Sequence, residues 1–518
     1  MIKGIIFDFD NTLYDYTNVD HIAMNILLDK IKYQHNISFD EIVSNIKKSN
    51  NNALKHNKLL YIKKFLEVNK IHIKYLSEFM KIYNDIFMSN IKLYDGVLEL
   101  FKYLVSKKIK IGIISNNTFH QQFEKLRYFG LLEYIDEIIT SDEAGEEKPN
   151  DVIYNIITTR MNLLKHEIIF IGDDLINDVM KPLSMGYFSM HFNLNKEFKI
   201  LDNFIQFGKF DELQDFLKKL FATHDEYVFL SKYFGQSELN VQGGGGNISI
   251  KLQDLLFIKS SGSQIGNAEY VILHNKNFIS ASTSTSILLS SSSNIMFSME
   301  IFFHSFMKKY TVHLHFTLSN IFLCSNSLNL DNFKYKYLII EYITPGLLLA
   351  QEIFKYYENH DIIFLKNHGI IITADTCDEL SIIYEYVFLY FKGTREELLS
   401  FDINKYIYKN FNKSLIVKYT NISSEIMKNI IYCFPDLAVF ISKIIIVDNL
   451  EELKIDNCDI LIIKDKVYII SENITKYYSL LEIINQYQIL CLSGNKLVPI
   501  ENLTNLQNME QEKYRKNK

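Results

Sequence analysis

The sequence predicts two α/β domains in series: a parallel sheet with an inserted helical cap, then a second α/β domain of different construction. Three observations carry this. The chain has 518 residues, more than one hydrophobic core can hold. From residue 1 to about 222, short apolar runs alternate with helical patterns, as in parallel strands joined by helical crossovers. Beyond that point the alternation gives way to a glycine cluster, a serine-rich stretch and a strand bearing two histidines. With 48% hydrophobic and 22% charged residues the chain reads as globular. A net charge of −6 and a pI near 6.2 supply no basic footprint for nucleic acid. No apolar run reaches the length of a membrane span. Two carboxylates interrupt "MIKGIIFDFD" where an export signal needs its apolar stretch, so a cytoplasmic protein with neither membrane nor nucleic-acid partner is expected. Cys324, Cys377, Cys433, Cys458 and Cys491 match no zinc-finger or CxxC spacing and read as reduced core thiols.

In the first domain the strands are "GIIFDFD" (4–10), "IKIGIISNN" (109–117), "DEIITSD" (136–142) and "EIIFIGDD" (167–174). Their ends are rich in Asp and Asn, and in such sheets ligands gather at the carboxyl ends of the strands. Residues 15 to about 92 look helical and form the cap; "DELQDFLKKLF" (211–221) closes the domain and "ATHDEY" (222–227) marks its boundary. Asp8 and Asp10, two residues apart at a strand end, aim into one cleft, where one carboxylate can attack phosphorus while its neighbour moves protons. Carboxylates this close repel unless a cation intervenes, and Mg²⁺ with oxygen ligands suits them. "GDDLIND" adds Asp173, Asp174 and Asp178; Ser115 and Asn116 offer donors to a phosphate oxygen, and Lys148 a compact positive charge.

Asp8-x-Asp10-x-Thr12, Ser115, Lys148 and Gly172-Asp173-x-x-x-x-Asp178, in this order, resemble the four motifs of the haloacid dehalogenase-like hydrolase superfamily. The resemblance covers about residues 1–221 and implies a Rossmann-like parallel sheet, Asp8 as the nucleophile of an aspartyl-phosphate, and Asp10 as general acid/base. It also implies Mg²⁺ held among Asp8, Asp10, Asp173 and Asp178. The dehalogenases lack the second aspartate, so Asp10 points to phosphoryl transfer.

The second domain opens with "QGGGGNISIKL" (242–252) and "DLLFIKSSG" (254–262), followed by "STSTSILLSSSS" (282–293), a surface-loop composition. In "VHLHF" (312–316) the strand period puts His313 and His315 on one face, a geometry that suits Zn²⁺. His368 in "LKNHGIIIT" (365–373) is a third candidate ligand, and Glu300 opens a short helix with His304 one turn on. Zn²⁺ as Lewis acid beside a carboxylic acid is what a lyase on a polyol phosphate needs. Glycines let backbone approach an anion, with Asn247 and the serines of "SSG" as donors.

This half resembles the class II aldolase/adducin family, which includes fuculose- and rhamnulose-phosphate aldolases and has an α/β fold with a mixed, largely antiparallel central sheet. The resemblance implies His313, His315 and His368 as zinc ligands and Glu300 as catalytic acid/base. Asn247, Ser261, Gly262 and Ser298 match the phosphate-binding groups, and His304 reads as structural. It also implies a homo-oligomer, the cyclic tetramer being common in the family.

The expected layout is a phosphatase domain over 1–222, an aldolase core over 223–400 and an extension over 401–518. In that extension "PDLAVFISKIIIV" (435–447) and "DILIIKDKVYIIS" (459–471) read as strands and "LTNLQNMEQEKYRKNK" (503–518) as a terminal helix. The expected function is a bifunctional Mg²⁺-dependent phosphatase and Zn²⁺-dependent aldolase acting on phosphorylated small molecules, a phosphorylated ketose or related carbohydrate for the aldolase. Two alternatives stand beside it: a sugar-phosphate dehydratase of the methylthioribulose-phosphate type fused to a phosphatase, and a phosphatase carrying a non-catalytic adducin-like module.

Overall fold

Strand β1 (Gly4–Asp8) is fully buried, and its two faces serve different layers. Ile6 packs with Ile114, Ile139 and Phe170 against Ile153, Tyr154, Ile157 and Met161 of helix Asp151–Met161. Phe7, pointing the other way by the two-residue period, meets Phe101 of helix Val97–Ser106 at 5.1 Å between ring centroids. Helices on both faces of a parallel sheet require strands apolar on both sides, which is why these runs do not alternate with polar residues.

The computed structural model describes residues 2–31, 58–201, 203–275, 287–290, 298, 300–392, 407–412, 415–420, 423–441, 444–447, 459–463, 466–471 and 474–500. The terminal helix expected at 503–518 and the serine-rich stretch apart from 287–290 lie outside the described residues. Met1–Lys219 with Leu288–Ser293 form one compact unit, and Leu220–Ile287 with Asn294–Lys518 the other.

In the first unit β1 lies between β2 (Lys110–Ser115) and β4 (Ile168–Gly172), with β3 (Glu137–Thr140) beyond β2. On the other side follow β5 (Phe188–Phe192), β7 (Ile205–Phe207) and β6 (Lys199–Ile200), and only the β6–β7 pair is antiparallel. Asp8 pairs with Ile114 and Phe7 with Ile171, so the ends of β2, β1 and β4 emerge side by side. The described part of the cap consists of helices Tyr16–Ile31, Lys58–Val68 and Leu76–Asn90. One helix, Phe210–Gly235, runs through 222–227, because no Gly or Pro interrupts the pattern before Gly235.

In the second unit seven strands lie in the order β10 (Tyr270–His274), β9 (Leu255–Lys259), β8 (Asn247–Leu252), β11 (Tyr310–Leu314), β14 (Gly369–Ala374), β13 (Ile362–Leu365) and β12 (Tyr337–Ile340). All neighbours are antiparallel except β12 and β13. His313 on β11 faces Asn247 on one side and Ile371 on the other. The β13–β14 turn carries Asn367 at φ 55° and brings Gly369 against β11, where an added Cβ would stand 2.2 Å from the Leu314 carbonyl oxygen. Gly369→Ala is expected to cost about 1–3 kcal/mol, read as a lower Tm, because a backbone oxygen cannot move aside as a side chain can.

Beyond residue 400 a five-stranded sheet is followed by helix Ile474–Leu492. The stretch 435–447, expected as one strand, is a helix over Pro435–Phe440 and a strand only over Ile444–Val447. Pro435 at the first helical position and Asp436 in the first turn favour a helix start, and a short apolar run fits either state. The 459–471 stretch forms the antiparallel strands Ile460–Ile463 and Lys466–Ser471.

Candidate active sites

At the carboxyl end of the parallel sheet Lys148 Nζ lies 2.6 Å from Asp8 Oδ1 and 2.7 Å from Asp178 Oδ1. All three side chains are buried. Asp8, Asp173 and Asp178 each offer an oxygen within 4.8 Å of the others, a donor set that fits a hard cation such as Mg²⁺. Burial, only partly offset by the Lys148 ammonium, pushes Asp8 up to about 7. Burial likewise pushes Asp173 up to about 7, with Asp8 adding to it. Thr12 Oγ1 sits 3.1 Å from Asp8 Oδ2 and 3.0 Å from Asp173 Oδ1, and accepts the Asp173 N–H. Gly172 is needed for this approach, since a Cβ there would stand 2.4 Å from the Asp178 carboxyl.

Asp10 lies outside that acidic group. Its carboxylate accepts from Lys125 Nζ (2.8 Å), Tyr14 OH (2.5 Å), Gln122 Nε2 (2.8 Å) and Asn117 Nδ2 (3.2 Å). Burial opposes the charge, but Lys125 and these hydrogen bonds outweigh it and hold Asp10 below the usual carboxylate range. Gln122 also donates to Ser115 Oγ at 2.5 Å. Asn116 spends both polar ends on the Lys148 backbone, accepting its N–H at 2.7 Å and donating to its carbonyl at 3.1 Å. Asp174 caps the turn at Leu175–Met180 by accepting from the Ile176 and Asn177 N–H groups.

Sequence reasoning missed Gln122 and Lys125. The available signal was their three-residue spacing on helix Phe119–Tyr128, directly after the Ser115 strand. Lys125→Met is expected to lower phosphatase kcat about 10–100-fold, because Asp10 loses the ammonium that fixes it and small misplacements cost that much. Steady-state kinetics on an aryl phosphate check this.

In the second unit His313 Nε2 stands 3.1 Å from His315 Nε2 and 3.2 Å from His368 Nε2, with Glu300 Oε1 at 3.3 Å from His313 and 3.5 Å from His368. His313 Nδ1 faces the Ile370 carbonyl at 3.0 Å and His315 Nδ1 faces the Asp436 carboxylate. Both partners only accept, so each Nδ1 carries the proton and each Nε2 presents a lone pair. Two lone pairs at 3.1 Å cannot hydrogen-bond to each other. A shared cation accounts for the convergence, and three imidazoles are a fitting donor set for Zn²⁺. Burial pushes His313 down to about 4, which keeps it neutral near pH 7.

Asn247 Nδ2 reaches Glu300 Oε2 at 2.6 Å and Ser298 Oγ at 2.5 Å, and Ser298 Oγ accepts the Glu300 N–H at 3.3 Å. Asn247 and Ser298 thus hold the glutamate. Ser261 and Gly262 lie in the turn after β9, with Gly262 at φ 72°. His304 Nδ1 pairs with Ser249 Oγ at 2.6 Å inside the core. Asp436, Glu482 and Gln486, in the stretch beyond residue 400, escaped the sequence reading. Glu482 accepts the Gly243 N–H at 2.7 Å, and Gln486 Nε2 donates to the His315 carbonyl at 2.9 Å.

Two family models match the chain, one in each half. Residues 5–189 match the model described as haloacid dehalogenase-like hydrolase, and residues 227–388 the class II aldolase and adducin N-terminal domain. Among curated relatives, a ribulose-1,5-bisphosphate 5-phosphatase of Halopiger xanaduensis is 26% identical over 209 residues, 38% of this chain and 87% of that protein. A glyceraldehyde 3-phosphate phosphatase of Methanocaldococcus jannaschii is 28% identical over 192 residues, 36% of this chain and 82% of its own. Among solved structures, the HAD-hydrolase YfnB from Bacillus subtilis is 19% identical, covering 42% of this chain and 99% of its own at a TM-score of 0.34. The N-terminal class II aldolase domain of a Thermoplasma acidophilum protein is 24% identical, covering 33% and 92% at a TM-score of 0.29.

Proposed function

From a chain that carries a haloacid dehalogenase-like hydrolase domain followed by a class II aldolase and adducin domain, we propose a bifunctional enzyme: a Mg²⁺-dependent phosphatase of small sugar phosphates joined to a Zn²⁺-dependent aldehyde-lyase. The observation that carries this reading is that each unit holds its own converging set of metal-ligating side chains beside a candidate proton-transfer carboxylate. The curated relatives of the first domain support small sugar phosphates as its substrate class.

In the phosphatase, Asp8 attacks phosphorus and Lys148 neutralises its charge on approach. Asp10, held as a carboxylate by Lys125, Tyr14, Gln122 and Asn117, takes the proton of the water that releases Asp8 and, once protonated, gives it to the leaving oxygen of the next substrate. Mg²⁺ held by Asp8, Asp173 and Asp178 would supply charge neutralisation for the phosphoryl oxygens. In the lyase, Glu300 moves the proton at the reacting carbon, and Asn247 orients it through Oε2 while Oε1 faces the histidines. Zn²⁺ held by His313, His315 and His368 would polarise a carbonyl as a Lewis acid. The protein acts in the cytoplasm as a homo-oligomer.

The test is a substrate panel with each metal supplied separately. Release of inorganic phosphate from a three- to five-carbon sugar phosphate with Mg²⁺, and of a free aldehyde from a phosphorylated ketose with Zn²⁺, is the expected result. Loss of water without carbon–carbon cleavage would replace the lyase by a dehydratase, and no reaction with zinc bound would leave a non-catalytic module.

A further inference from the structure

Asp436 lies 121 residues beyond His315 in sequence, in the extension that neither family match covers. Its carboxylate is fully buried and meets the Nδ1 of His315, itself 2% exposed. A carboxylate withdrawn from water must recover its solvation from a donor, and here the imidazole N–H supplies it. The same bond fixes the tautomer, directing the His315 lone pair on Nε2 toward His313 and His368.

Three further contacts make the place a built one. Gly245 passes so close that an added Cβ would stand 2.6 Å from Asp436 Oδ2 and 2.7 Å from His315 Nδ1. Gln486 holds the His315 carbonyl at 2.9 Å, and Asn367, the neighbour of His368, donates to the Cys433 carbonyl at 3.0 Å. His315 directly, and His368 through its neighbour Asn367, are thereby tied to the chain beyond residue 400.

We propose that Asp436 is a positioning residue of the zinc site, and that the helix Pro435–Phe440 belongs to that site as its carboxylate-bearing wall. The inference rests on the reading that His313, His315 and His368 hold a divalent ion.

The experiment measures zinc affinity of the full-length protein by competition with a chromogenic chelator, together with the visible spectrum after Co²⁺ replacement. Asp436→Asn is expected to weaken zinc about 10–100-fold and alter the Co²⁺ bands, with hydrolysis of an aryl phosphate unchanged. Gly245→Ala is expected to reproduce this, and the double variant to be no weaker than the worse single one, because both act on one contact. Phe440→Ala, buried in the same helix, should lower Tm without moving zinc affinity. If the Asn variant does not fold, Gly245→Ala carries the comparison, and Asp436→Glu, keeping charge and acceptor, should lose less zinc affinity than either. Unchanged affinity and spectrum in Asp436→Asn, or in Gly245→Ala where the Asn variant does not fold, or an equal loss in Phe440→Ala, overturns the proposal. A wild type that binds no zinc overturns the underlying metal reading instead.

Discussion

Asp8→Asn is expected to lower phosphatase activity by about 10⁴-fold or more, since an amide cannot form the acyl-phosphate link and the remaining groups only bind and orient. The fold should survive. Asp8 is pushed up to about 7 in a group with Asp173 and Asp178, so its ionised form costs stability when no cation is bound. The sign follows: a carboxyl with a raised folded-state pKa stabilises the protein only while protonated, and that contribution falls as pH rises from the ordinary carboxylate range through about 7. In chelator at pH 8 the Asn variant should therefore melt no lower than wild type, with Lys148 still paired to Asp178. Differential scanning calorimetry and a phosphate-release assay test both statements. Substantial remaining activity would remove Asp8 from its role, and a large fall in Tm would contradict the charge argument.

His313→Ala is expected to reduce zinc from about one per chain to near zero and abolish lyase activity. Phosphatase activity on an aryl phosphate should persist. His313 is fully buried and central: its Nε2 lies 3.1–3.3 Å from His315, His368 and Glu300. Its loss removes one of three imidazole ligands and leaves a cavity, costing the second unit about 2–3 kcal/mol in the apo protein. Metal analysis after gel filtration gives the reading. Full retention of zinc would place the metal elsewhere, and zinc-free wild type prepared without chelator would remove the metal from this half.

Much of both groups was legible because the deciding geometry is local. Asp8 is legible as a carboxylate at the end of an apolar strand, and parallel sheets present such ends in one row; Ser115 and Asp173 follow from the same rule. His313 and His315 follow from the two-residue period of a strand. His368 needed a turn, and the Asn-His-Gly sequence after an apolar run marks one, with Asn367 at positive φ and Gly369 fitting against β11. The same reading gave Asn116 a donor role toward phosphate, and the structure adds that its side-chain amide bonds the Lys148 backbone. It also read "PDLAVF" as strand, because six residues are too few for a period to separate the two states.

The sequence by itself determined the two α/β grammars, the strand ends that carry Asp8, Ser115 and Asp173, and the paired histidines, all consequences of backbone period and the short-range chemistry of neighbouring residues. Only the tertiary structure decided that Asp10 is held by Lys125 and Gln122, and that Asp436 reaches His315. Those contacts join elements distant in the chain, and a pairing across such distance depends on packing and register, which local periodicity does not encode.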